Sequence, residues 1–259
     1  MGSLVLAKRP NIIAGFSPKD VGGLKLWLAA DRLTHLIDGD PVGSWIDASG
    51  NGNDVTQATA TNKPTFKTGI LNGKPVVRFD GGVWLSGGDI LDFDYLDKFT
   101  LFVVQKNTAG VGDQSLIGKF DSASPFQGWE LTYVADTKIA AGLVSDWATN
   151  NALWLEYNTT LTSNHIVTMR YNGNATPGTG DLGLWRDGIA LALSATVKNG
   201  LTATSVNAIP FTIGARNNGA ANKITGDIAE IIIYNRALAD AVSSQVLRYL
   251  GSKWGISVP

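Results

Sequence analysis

Three glutamates, two histidines and no cysteine bound the chemistry open to this chain of 259 residues. Retaining cleavage of a polysaccharide needs two carboxylates on one face, which alternating positions along a β-strand supply. Glu130, Glu156 and Glu230 each lack an acidic residue two or four positions away. Glu230 stands three residues from Asp227, a spacing that sends the two side chains to opposite faces of a strand. His35 and His165 are far apart, without a serine nucleophile motif and without a second histidine at metal-ligand spacing. Gly81-Gly82 and Gly87-Gly88 follow strands but open no helix, which excludes a phosphate loop. The sequence therefore predicts a binding or structural protein and not an enzyme.

Binding chemistry is better represented. A sugar takes an aromatic face against its C–H surface and planar amides or carboxylates against its hydroxyls. Asp146, Trp147, Asn150 and Asn151 supply that mixture on an expected loop, with Trp154 and Tyr157 close behind; Asp146, Trp147, Asn150, Asn151 and Tyr157 are the candidate glycan-binding residues. Trp147 is the expected stacking residue, whereas Trp27, Trp45 and Trp254 are assigned to packing. The run Asp92 to Asp97 reads as a second polar-aromatic rim or as a solvated loop. Between Asp47 and Asp54, closely spaced Asp, Ser and Asn oxygens with Gly50 and Gly52 offer ligands to calcium, Asp47 and Asn51 foremost. The spacing is not that of a twelve-residue calcium loop, and the same residues suit Asx-turns that bond neighbouring backbone N–H groups.

Composition narrows the partners. Net charge is −1 with no Lys/Arg cluster, so nucleic acid is excluded as a partner. The absence of cysteine removes disulfides and thiolate zinc sites, leaving the core alone to hold the fold. No apolar run reaches membrane-spanning length, and Leu4 to Ala7 is too short for a signal peptide and precedes Lys8-Arg9, so no export signal is expected. Residues 1–22 lack periodicity and read as an N-terminal arm, a candidate anchoring segment. Residues 23–259 read as one domain.

From Gly23 onward, short alternating segments mark strands. Leu24, Leu26 and Leu28 share one face, and further strands are expected at 76–79, 100–105, 115–120, 129–134, 139–144, 166–171, 182–186, 189–193, 211–215 and 228–234. Asp187-Gly188 predicts a two-residue type I′ hairpin. Phe99 to Val104 is apolar throughout, as a central strand covered on both faces would be. One helix of length is expected from about Asp240 to Lys253, capping the sandwich edge. The pattern is all-β: a two-sheet antiparallel sandwich with one C-terminal helix.

The stretch Gly226 to Leu238, with Trp254-Gly255-Ile256 behind it, resembles the closing signature of the concanavalin A-like lectin/glucanase superfamily, in its laminin-G-like branch. Gly23 to Asp31 resembles its opening strand, Trp45 to Asp54 its Asp/Asn/Gly loop, and Lys74 to Gly81 the strand that follows. The resemblance implies jelly-roll order, and a calcium ion on the convex side to which Asp227 and Asp80 correspond. The ending Tyr249 to Gly255 is also similar to sandwiches of bacteriophage virion proteins and of bacterial polysaccharide-handling proteins. The implied function is a non-catalytic structural or adhesive virion protein, on the capsid or tail, displayed on the virion surface and binding other virion proteins or cell-surface glycans, with a homo-oligomer as a further expectation. The alternatives are an extracellular carbohydrate-binding module and, below it, a glycoside hydrolase dependent on Glu130 or Glu156.

Overall fold

The computed structural model describes residues 15–109, 112–134, 137–160 and 162–259. In chain order its strands are β1 (Leu24–Ala29), β2 (Ser44–Trp45), β3 (Val55–Thr56), β4 (Thr65–Leu71), β5 (Lys74–Asp80), β6 (Leu85–Gly88), β7 (Phe99–Ala109), β8 (Asp113–Phe120) and β9 (Gly128–Val134). They continue as β10 (Lys138–Asp146), β11 (Asn151–Asn158), β12 (His165–Tyr171), β13 (Leu182–Arg186), β14 (Ile189–Ala190), β15 (Leu193–Asn199), β16 (Phe211–Ile213) and β17 (Thr225–Tyr234), and one α-helix, α1 (Asp240–Trp254), closes the chain. Two antiparallel sheets result. One has eight strands in the order β14-β13-β12-β7-β17-β5-β4, with β1 also paired to β17, and the other has nine in the order β15-β11-β10-β9-β8-β16-β6-β3-β2. This is the expected jelly-roll sandwich.

Alternation builds the core between the sheets. From the nine-stranded sheet, Trp129, Leu131 and Tyr133 of β9, Ile139, Ala141 and Leu143 of β10, and Leu153, Leu155 and Tyr157 of β11 point inward and are buried. They meet Leu26, Leu101, Val103, Ile231 and Ile233 from the eight-stranded sheet. Strand β7 is buried from Phe99 to Gln105 because its second face is covered too.

That cover is α1, which lies on the outer face of the eight-stranded sheet instead of at the sandwich edge. Glu230, on central strand β17 and fully buried, fixes it there. The carboxylate accepts from Trp27 Nε1 at 2.6 Å, Trp254 Nε1 at 2.5 Å and Tyr249 Oη at 3.2 Å, and pairs with Lys253 Nζ at 2.8 Å. Burial pushes the Glu230 carboxyl up, with Lys253 and the indoles pulling against it. Gly255 ends the helix in the left-handed conformation, φ 69°, as C-terminal glycines do. Of the expected arm, residues 1–14 lie outside the described residues. Residues Pro18–Asp20 form one 3₁₀ turn capped by Ser17, and Pro18 O accepts from Tyr234 Oη at 3.1 Å.

Asp187 and Gly188 have φ of 52° and 84°, the two positive values that a type I′ turn requires, and Arg186 pairs with Ile189 across it. The expected strand at 189–193 is instead two strands. Ile189–Ala190 ends the eight-stranded sheet, and the chain then crosses to the other sheet, where β15 pairs with β11.

Candidate functional site

On the nine-stranded sheet, residues that do not face the core face outward, and one transverse row of them is unusual. Gly118 of β8 is paired with Glu130 of β9, Glu130 with Gly142 of β10, and Gly142 with Trp154 of β11. Gly142 makes room for its neighbour: a Cβ there would lie 2.8 Å from Trp154 Cε3. Trp154 thus lies flat enough to the sheet to be only 5% exposed. Around it, Phe120 and Trp147 pack at 5.4 Å and 5.5 Å, the latter edge-on at 84°. With Phe126 and Val134 they form a second apolar cluster outside the main core.

This cluster is one wall and floor of a bowl of about 230 Å³, completed by Val197, Asp113, Glu156 and Arg216. Arg216 is the cation among its lining residues. Its guanidinium sits 4.7 Å over the Phe120 ring and grips Glu130, Nε at 2.8 Å from Oε1 and Nη2 at 2.6 Å from Oε2. Glu130 is fully buried beneath it. Burial works against the Arg216 charge, but the Glu130 carboxylate outweighs it and pushes the guanidinium further up. Glu156 is likewise held, by Lys138 at 2.8 Å, and Lys198 Nζ lies 5.1 Å from the Trp147 ring centre. Asp113 is exposed at the rim.

The bowl can offer half-buried aromatic rings beside fixed charges and hydrogen-bonding groups, the mixture a sugar requires. It does not place two acids for glycoside cleavage, because each of its deeper carboxylates is tied to a cation. Three other surface cavities, of about 260, 300 and 400 Å³, lie beside Phe16 and α1, between Arg170 and α1, and under residues 90–98. The first also sets two half-buried rings, Phe16 and Tyr249, beside Gln245, Arg248 and Lys253, but its Tyr249 hydroxyl and Lys253 are already engaged by Glu230.

Of the glycan-binding candidates, only Trp147 lines the bowl. Asp146 Oδ1 accepts from Ala148 N at 2.9 Å and thereby caps the β10–β11 turn, in which Asn150 has φ 62°. Asn151 Oδ1 accepts from Thr202 N at 2.8 Å and pins the segment after β15. Tyr157 points the other way. It is 4% exposed in the main core and its hydroxyl donates to Leu182 O at 2.9 Å, because Asn151–Asn158 is a strand on which 157 shares the inward face with 153 and 155. The same alternation would have identified Trp154 and Glu156 as outward. Phe120 and Phe126 carried no distinguishing signal, and Arg216 reaches Glu130 from 86 residues away.

The metal candidates fall in two places. Asp47 accepts from Trp27 N at 2.9 Å and Ser49 N at 2.8 Å through Oδ1, and from Ser49 Oγ at 2.6 Å and Asn53 N at 3.0 Å through Oδ2. Asn51 turns its amide NH₂ to Leu24 O at 2.9 Å. These are Asx-type bonds that tie the loop to β1. Asp227 is 2% exposed and pairs through both oxygens with Arg78, at 2.7 Å and 2.9 Å. Asp80 accepts from Gly82 N at 2.9 Å. Among the described residues, no three His, Cys, Asp or Glu side chains converge as a metal cluster. The donors around Asp47 and Asp227 fit a hydrogen-bonded loop and an ion pair, not a cation cage.

No family profile matches the chain, and no curated protein does. Among solved structures, the binding domain of Paraclostridial Mosquitocidal Protein 1 superposes with a TM-score of 0.60 at 14% identity, covering 89% of this chain and 52% of that one. The chain thus spans about half the length of that protein's structure. This likeness is one of fold. Weaker matches are the CBM40 of Ruminococcus gnavus IT-sialidase bound to α2,3 sialyllactose, with TM-score 0.46, 15% identity, and 59% and 83% coverage, and Trypanosoma rangeli sialidase, with TM-score 0.49, 18% identity, and 89% and 33% coverage.

Proposed function

We propose that this chain is a glycan-binding jelly roll whose binding face, the bowl on the nine-stranded sheet, is non-catalytic. The observation that carries the reading is a second aromatic cluster on the sheet face turned away from the core, with Trp147 half-buried beside Arg216, Glu156 and Asp113. A sheet face that only had to be wetted would not need two indoles and two phenyl rings gathered over a buried ion pair. In this reading a sugar ring lies against Trp147 and Phe126, while Arg216, Asp113 and Glu156 meet its hydroxyls. A bound calcium ion is not required for it.

The setting we propose is display on a bacteriophage virion, on capsid or tail, with residues 1–22 as the anchoring segment and host-surface glycans or neighbouring virion proteins as partners. The motivation is the ending Tyr249 to Gly255 and a cysteine-free, weakly charged surface. A carbohydrate-binding module of an extracellular bacterial protein is the second reading, and the bowl serves both. A glycan array probed with the full chain tests the shared claim: selective binding to a group of related glycans is expected, and a blank array overturns it. Immunogold labelling of phage particles then separates the two settings, with labelled capsids or tails expected and unlabelled particles against virion display.

A further inference from the structure

The histidine that sequence spacing left without a partner has two. Ser163 Oγ lies 2.8 Å from His165 Nε2, and His165 Nδ1 lies 2.6 Å from Asp187 Oδ2. Asp187 is fixed in turn: it occupies the first position of the type I′ turn between β13 and β14, and its other oxygen accepts from Ile166 N at 2.7 Å. A carboxylate only accepts, so the contact to Asp187 places a proton on Nδ1, and in the neutral imidazole this leaves Nε2 to accept from the Ser163 hydroxyl. His165 and Asp187 are partly sheltered, with side chains 15% and 18% exposed, whereas Ser163 is exposed. Nucleophile, base and orienting carboxylate are thus in contact in the order that acyl transfer uses.

The geometry points to a second activity, separate from the bowl: Ser163, His165 and Asp187 form a serine-nucleophile centre that transfers short acyl groups from esters. None of the residues lining the bowl belongs to β12 or to the β13–β14 turn. In the reaction, Ser163 Oγ bonds to the ester carbonyl carbon as its proton passes to His165 Nε2. The imidazolium, held by Asp187, then returns that proton to the departing alkoxide as the ester C–O bond breaks. Water, deprotonated by His165, releases the acid and restores the serine. None of the four cavities described includes Ser163 or His165. The substrate class is a short acyl ester, such as an acetyl ester, which an exposed serine reaches without a deep pocket.

The test treats the full chain with a fluorophosphonate and maps the adduct by peptide mass spectrometry. Ser124, exposed and outside any such trio, is the internal control. General-base assistance is worth about 10² to 10⁴ in rate, so Ser163 is expected to label at least about 100-fold faster than Ser124, and His165→Gln to bring it down to the control rate. Labelling of Ser163 no faster than Ser124, or undiminished in a folded His165→Gln protein, overturns the proposal. A second measurement keeps His165 and Asp187 in place. Because the chain has no cysteine, Ser163→Cys introduces a sole thiol. Activation by His165 predicts that iodoacetamide alkylates it about 10-fold or more faster at neutral pH than the thiol of Ser124→Cys, and equal rates overturn the assignment.

Discussion

Replacing Glu230 by Gln removes one oxygen and one charge from the point at which α1 is fastened to the sheet. The carboxylate is fully buried and is approached by two indole N–H groups, a phenol and an ammonium. An amide presents one acceptor and one NH₂, so whichever way it turns, at least one buried donor faces another donor. An orphaned buried donor costs about 1–3 kcal/mol, and removing one partner of a buried ion pair costs about 3–5 kcal/mol. Lys253 retains Asp31 at 2.9 Å, which places the total near the lower end, about 3–4 kcal/mol. For a chain of this size each kcal/mol lowers the melting temperature by about 2–4 °C, so a fall of roughly 6–16 °C is expected, with a parallel loss in urea midpoint. The assay is equilibrium unfolding followed by tryptophan fluorescence and circular dichroism. A loss below about 1 kcal/mol would mean that the four contacts do not fasten the helix, and the reasoning about this network would be wrong.

Three further outcomes are expected. Gly142→Ala places a methyl against Leu153 O and the Trp154 ring; overpacking of this kind costs about 1–3 kcal/mol, and near-ultraviolet circular dichroism should report a displaced indole. Lys67, then the Thr68 N–H, hold the Asp38 carboxyl below its ordinary value of 3.8. A lowered carboxyl contributes stability above its unfolded value that is lost as pH falls through the lowered one, so Asp38→Asn should be less stable than the parent near pH 7 and equal to it at strongly acidic pH, by urea titration. Because the Asp47 and Asp227 oxygens are engaged by N–H, O–H and guanidinium donors, a chelator should leave the melting temperature unchanged, and a clear fall on chelation would reveal a calcium ion that stabilises the fold.

The fold was legible because its signals are local. Alternation in β1, β8 to β10, β12 and β17, the Asp187-Gly188 turn and the amphipathic run after Asp240 each state their own element. The short strand Ser44–Trp45 and the crossing of the chain from β14 to β15 carry no such signal, since both depend on which sheet has room for another edge. The site was legible only where it is local. Trp147 stands out as an aromatic in a polar turn. Tyr157 lies in the core because Asn151–Asn158 is a strand, whose period of two sends 154 and 157 to opposite faces. Glu130 looked isolated because its partner comes from Arg216, on the segment after β16. The Ser163–His165 contact spans two residues, but its meaning depends on Asp187, which only the hairpin brings near.

The measurement that bears most directly on the central claim is calorimetric titration of an array-identified glycan into the parent chain and into Trp147→Ala. Stacking of a sugar on one indole face removes roughly 60–80 Å² of apolar surface from water, about 1.5–2 kcal/mol, or a roughly 10- to 30-fold change in dissociation constant. Weakening of that size, with the unfolding midpoint largely retained, is the predicted result; unchanged affinity in a folded Trp147→Ala protein would place the glycan elsewhere and contradict the assignment of the bowl.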